Sequence, residues 1–207
     1  AIFIDENIDI KEAKKICQKY HIVLGGNIPL TTTMLHGTQD DNRQAVVNII
    51  DSCGTHHGLI IAPGCDMPYD TPVENTFAAA YAVSHYEETK RMIAGYNGQL
   101  PLDTIEVNLP DYPNLHRTLV EVFTLDSGSC AACGYMMNCV NELHHEYPNL
   151  FDVVEYKYTA LENIKRCRMV GIKNLPSLYI NGELVYSSII PGKQKLLEKI
   201  KDADCPD

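Results

Sequence analysis

The stretch Leu119–Met137, LVEVFTLDSGSCAACGYMM, decides the fold of the C-terminal half. Leu119, Val120, Val122, Phe123 and Leu125 form a β-branched and aromatic run of strand length. Asp126-Ser127-Gly128-Ser129 reads as a turn that supplies a helix N-cap. Cys130 and Cys133 follow where a helix begins. There the positive end of the helix dipole and its free N–H groups stabilise a thiolate at Cys130, lowering its pKa below that of a free thiol. The spacing brings Cys133 within disulfide reach. Taken alone, the pair divides evenly between a redox dithiol and the plainer readings, two ordinary helix cysteines or half of a zinc site.

The chain downstream weighs on that choice. A helix is expected over 134–147, a strand over 151–158 and a second helix over 160–170. Pro176 then opens a strand, Asn181-Gly182 makes a hairpin turn, and a second short strand follows. A last helix is expected from Gly192 to Ala203. A C-x-x-C beside a βαβ pattern is a redox signature. From about Thr118 to Cys205 the chain resembles the thioredoxin-like superfamily, through Cys130-Ala131-Ala132-Cys133, Leu175-Pro176-Ser177 and Asn181-Gly182. The resemblance implies a cis Pro176 that faces the two cysteines. It departs from the family pattern at Ser129, where the family carries tryptophan, and at Ala131-Ala132, where it carries Gly-Pro. The implied activity is thiol–disulfide exchange without a cofactor. Cys130 attacks, Cys133 resolves the mixed disulfide, and Pro176 shapes the groove that takes an extended peptide.

At 207 residues the chain has room for one or two domains, and its formal net charge is −10. That charge argues against non-specific binding to nucleic acid or to an anionic membrane. With no signal-like or spanning apolar run, a soluble, cytoplasmic protein is expected. Eight cysteines are too sparse for a disulfide scaffold, so those outside the C-x-x-C read as thiols or metal ligands. Cys139 reads as a core cysteine. Cys167, between Arg166 and Arg168, reads either as a thiol of lowered pKa or as part of a solvated helix face. Tyr135, Met136 and Met137 form either a hydrophobic surface beside the cysteines or core. Cys17, Cys53 and Cys205 receive no role.

The first half alternates strand and helix. Ala1–Ile4 is the end of a strand, Asp9–Tyr20 a helix, HIVLGG (21–26) a buried strand, and Asn27-Ile28-Pro29 a turn. Thr38 with Asp41 marks a helix start that runs to Cys53. GLIIA (58–62) is a second buried strand. Thr71 as cap, Pro72 at the first helical position and Glu74 begin a helix that reaches Tyr86 or Ile93. Continuous apolar strands alternating with helices mean parallel βαβ units, here too few to close a barrel.

GGNIP (25–29), MLHGTQDD (34–41) and IIAPGCDMPYDTPVEN (60–75) resemble the C-terminal part of the uroporphyrinogen decarboxylase superfamily, closer to its corrinoid-dependent methyltransferase branch. That superfamily is a (β/α)₈ barrel, and residues 1 to about 95 would match its last three or so βα units. In the methyltransferase branch the cysteine of the P-G-C turn, here Cys65, is a zinc ligand. The partner His-x-Cys motif occurs nowhere in this chain. Zinc at Cys65 therefore needs ligands from another segment, since a catalytic zinc keeps three protein ligands. The decarboxylases carry histidine at that position, so Cys65 speaks against decarboxylation. His56-His57 read as local ligands or as a helix-end cap.

The expected fold class is α/β: a partial (β/α) barrel segment followed by a thioredoxin-like domain. The expected domains are 1–96 and 118–207, joined by a Gly-, Pro- and Asn-rich linker at 97–117 in which Ile105–Leu109 adds an edge strand. The leading function is a Cys130/Cys133 oxidoreductase that serves a corrinoid-type methyltransferase. Its partner is a protein disulfide or the methyltransferase and its corrinoid protein. The alternative is a zinc- or soft-metal-binding fragment of such a methyltransferase, with Cys130 and Cys133 joined by Cys65 or by a partner thiolate. An open sheet in the N-terminal lobe would assemble the chain into a homo-oligomer or heteromer.

Overall fold

The computed structural model describes residues 1–98, 100 and 102–203. The protein is α/β and divides into two compact units, Ala1–Pro101 and Leu102–Asp207. Among the described residues no helix is long and apolar enough to cross a membrane.

The first unit carries β1 (Ile2–Phe3), α1 (Ile10–Lys19), β2 (Leu24–Ile28), α2 (Gln39–Cys53), β3 (Leu59–Pro63), α3 (Val73–Ser84) and α4 (Tyr86–Met92). Its three strands are parallel in the order β1-β2-β3 and close no barrel. β2 is central and buried throughout. Gly26 serves a close approach there: its φ is 124°, and an added Cβ would lie 2.6 Å from the Ile4 carbonyl oxygen. The turn expected at Asn27–Pro29 begins later, because Asn27 and Ile28 continue the β2–β3 ladder. A π-helical segment, Leu30–Leu35, follows Pro29. α2 begins with a full capping box between Thr38 and Asp41. β3 is half-buried rather than buried, since it forms an edge and leaves Ile60 41% exposed. Thr71 does not cap α3: Pro72 takes an extended ψ of 127° at the N-cap, and the Thr71 hydroxyl finds no partner. His85, with φ −128° and ψ 46°, breaks the expected long helix into α3 and α4. Ile28, Met34, Val46, Ile49, Ile50, Ala79 and Ala82 form the core.

The second unit carries β4 (Thr118–Thr124), α5 (Ala131–Glu146), β5 (Phe151–Lys157), α6 (Leu161–Val170), β6 (Ser177–Ile180), β7 (Glu183–Ser187) and α7 (Lys193–Asp202). The sheet order is β5-β4-β6-β7, with β5 parallel to β4 and the β6–β7 hairpin antiparallel to it. The pleat of β4 divides its side chains between two cores. Val120 and Val122 pack with Met136, Val140, Leu143, Leu196 and Ile200 of α5 and α7, whereas Phe123 packs with Cys167 of α6 and Tyr179. The hairpin turns through Asn181 and Gly182, with φ values of 50° and 82°.

Residues 102–117 hold two short 3₁₀ turns and are tied to the second unit. Ile105–Leu109 is not the expected edge strand. Side chains of α6 take its carbonyls instead: Lys165 donates to Ile105 at 2.5 Å and Arg166 to Asn108 at 2.8 Å. The Tyr112 hydroxyl donates to Glu121 at 3.2 Å, and its ring lies against Gly182.

Candidate dithiol site

β4 delivers the chain to the turn 125–130, and α5 starts directly after it. Cys130 itself is the N-cap residue of α5, with φ −96° and ψ 116°, where the cap was expected within 126–129. It is half-buried, while Cys133, one turn into the helix, is completely buried. The Leu125 amide donates to the Cys133 sulfur at 3.3 Å. Burial, together with the adjacent Cys130 thiol, pushes the Cys133 thiol up to about 12. The two sulfurs thus differ in kind: one stands at the open end of a helix, and the other is enclosed and held protonated at neutral pH.

The turn is closely accounted for. Ser129 and Cys130 donate their amides to the Asp126 carbonyl at 3.2 and 2.8 Å, and Gly128 donates to the Asp126 carboxylate at 2.9 Å. Ser127 donates to Glu155 on β5 at 3.2 Å, and the Thr124 hydroxyl donates to the same oxygen at 2.6 Å. Lys157 pairs with Asp126 at 2.7 Å. That cation holds the Asp126 carboxyl below the usual carboxylate range, and the Gly128 amide helps. Glu155 and Lys157 were not singled out from the sequence, because nothing beside the cysteines points to them. Their signal was alternation within β5, which puts Val153, Glu155 and Lys157 on one side of the strand.

The Leu175–Pro176 bond is cis. Ser177 stands opposite Phe123 in the β4–β6 ladder, so Pro176 lies at the end of the sheet from which β4 enters the cysteine turn.

Every cysteine among the described residues is a free thiol. Cys139 is buried in the larger core and donates to the Pro191 carbonyl at 3.5 Å. Cys167 fits neither expected reading. It is buried with Phe123 and Tyr179, and burial pushes its thiol up to about 12, against a smaller opposing pull from Arg166. Met136 and Met137 belong to the core, whereas Tyr135 is exposed. Cys205 lies outside the described residues.

In the first unit, Cys65 is exposed just beyond β3, at the C-terminal ends of the parallel strands. The preceding Gly64 donates its amide to the Ile28 carbonyl at 3.0 Å, joining the ends of β2 and β3. The family model for uroporphyrinogen decarboxylase (URO-D) matches residues 1–86. The first unit is URO-D-like over that span. No curated protein matches the chain. The URO-D-like segment contains all three strands and Cys65. Among the described residues no three His, Cys, Asp or Glu side chains gather to hold a metal ion. One exposed thiol does not fit a zinc centre. Of the two histidines upstream, the His56 ring meets Tyr86 edge-on at 4.9 Å, and the His57 backbone carbonyl accepts Lys14 at 2.6 Å. Neither caps α2, whose C-terminus ends on Gly54 in the left-handed conformation.

Proposed function

We propose that the second unit is a thioredoxin-like thiol–disulfide oxidoreductase. The observation that carries this reading is the asymmetry of the pair. Cys130 stands at the N-terminus of α5, and Cys133 is buried one turn behind it with its thiol pushed up to about 12. The order β5-β4-β6-β7 and the placement of Pro176 at the cysteine end of the sheet support the same reading.

The Cys130 thiolate attacks one sulfur of a protein disulfide. A Cys130–substrate bond forms and the first substrate thiolate leaves. The Cys133 sulfur then attacks Cys130, its proton passes to a leaving substrate thiolate, and the second substrate sulfur is released. Cys130 and Cys133 lose two electrons and become a disulfide; the substrate disulfide gains them and becomes a thiol and a thiolate. In reverse, the same pair oxidises a dithiol.

The URO-D-like first unit supports a setting in which the protein disulfide belongs to a corrinoid-type methyltransferase or to its corrinoid protein. Such chemistry runs at low potential and fails when its thiols oxidise. A C130S/C133S double variant is expected to leave such a partner sensitive to air. The exposed edge residues Ile2, Phe3 and Ile60 support assembly of this unit with further subunits.

The test is a redox titration of the metal-free protein, read by differential alkylation and peptide mass spectrometry. Cys130 and Cys133 are expected to convert together at a single two-electron midpoint. A pair that stays reduced throughout, or that is protected from alkylation only when zinc is restored, overturns the oxidoreductase reading in favour of a metal-binding module.

A further inference from the structure

The geometry points to Glu155 and Lys157 of β5 as the residues that position the Cys130 sulfur at the end of α5. The inference rests on the dithiol reading and concerns how the attacking sulfur is held. An attacking group loses rate steeply when it moves by even an ångström, so something must fix the turn that presents it.

Most of the turn is fixed from within. The Leu125 amide holds the Cys133 sulfur, and the amides of Gly128, Ser129 and Cys130 all close onto Asp126. Two contacts come from outside. Ser127 reaches across to Glu155, whose same oxygen takes the Thr124 hydroxyl from the last residue of β4. Asp126, on which the inner bonds converge, is held by Lys157 at 2.7 Å. The register explains why β5 can do both. Val122 pairs with Glu155 and Thr124 with Lys157, so β5 runs beside the last residues of β4 and ends level with the start of the turn. Residues two apart in a strand share a face. The face of Glu155 and Lys157 is that of Val153, which packs toward the core shared with α5. A carboxylate and an ammonium thus clamp the turn at Ser127 and Asp126, the two residues after Leu125.

The clamp also has a sign. With Lys157 in place, the charge of Asp126 is compensated close to the Cys130 turn. Without it, an unpaired carboxylate disfavours a thiolate there.

The experiment uses the full chain. The two-electron midpoint is measured for the unmodified protein, E155A, E155Q and K157M. The pH profile of Cys130 alkylation by iodoacetamide is measured for each in a C133S background. E155A is expected to slow Cys130 alkylation at neutral pH by at least about fivefold, since the turn loses its outer anchor. E155Q keeps an amide oxygen that accepts both donors, so it is expected to restore the rate to within about twofold. K157M is expected to move the alkylation profile to higher pH and the midpoint to a more negative value; a tenfold change in the exchange constant reads as about 30 mV. Unchanged profiles in both E155A and K157M overturn the assignment, and so does an E155Q that behaves like E155A. K157M removes a half-exposed cation and serves as the test by itself if E155A does not fold. If the unmodified pair shows no common midpoint, the oxidoreductase reading fails, while the Cys130 profiles still decide whether β5 positions the sulfur.

Discussion

Glu121 is a carboxyl group buried in the middle of a central strand, with 1% of its surface exposed. One oxygen accepts the Tyr112 hydroxyl; the other finds no partner. Burial raises its pKa, against smaller opposing pulls from Tyr112, Tyr156 and Arg166. A carboxyl whose pKa is raised in the folded state binds its proton more tightly there than in the unfolded chain. Its contribution is therefore fully present below the unfolded value and is lost as pH rises through the folded one. E121Q keeps an acceptor for Tyr112 but cannot ionise. It is expected to be more stable than the unmodified protein at neutral pH and to lose that advantage on acidification. Urea midpoints between pH 4 and pH 8 check this, and two parallel curves would refute it. Cys167 offers a second test at this scale. C167S puts a hydroxyl among Phe123 and Tyr179, and a loss of about 1–3 kcal/mol is expected from thermal unfolding.

At the scale of elements, caps translate directly into stability. Thr38 and Asp41 satisfy each other's backbone amides at the start of α2. T38A is expected to cost about 1 kcal/mol, measured by urea unfolding. The same local chemistry made α2 legible in the sequence, because Thr38 and Asp41 announce it within a few residues; α1 was legible from the helical spacing of Ile10, Ala13 and Ile16, and the structure adds its cap, Asp9. The Asn181-Gly182 turn was legible for the same reason as α2. Cys130 and Cys133 could be picked out as a candidate pair because their spacing is written along the chain, and Pro176 because it opens a strand ahead of the Asn181-Gly182 turn. Other features depend on partners far away in sequence. Ile105–Leu109 has strand-like composition, but Lys165 and Arg166 claim its carbonyls from 60 and 58 residues on. Glu155 reaches Ser127 across 28 residues, so no window around the cysteines could contain it. The exposure of β3 depends on which strand has a neighbour on both sides, and apolar content alone does not give that order.

For the whole molecule, the division into two units predicts divided behaviour. Leu196 is fully buried in the core that joins β4, α5 and α7. L196A is expected to cost about 2–5 kcal/mol through the cavity it leaves. Native-state hydrogen exchange should show lost protection in β4, β6 and α5, with the amides of β2 and α2 unchanged. An equal loss in both sets would mean that the chain unfolds as one cooperative body.

The distribution of thiols has a practical consequence. Among the described cysteines only Cys65 is exposed, and Cys130 stands half-buried at its helix end, while Cys17, Cys133, Cys139 and Cys167 are buried. Burial raises the thiol of the remaining half-buried cysteine, Cys53, and so slows its reaction with electrophiles. Cys65 and Cys130 belong to different units. In a C205S background, a brief maleimide treatment of the native protein should therefore dye one position in each. A donor and an acceptor fluorophore placed this way turn the protein's own cysteines into a ruler for the distance between its two halves, with no residue added.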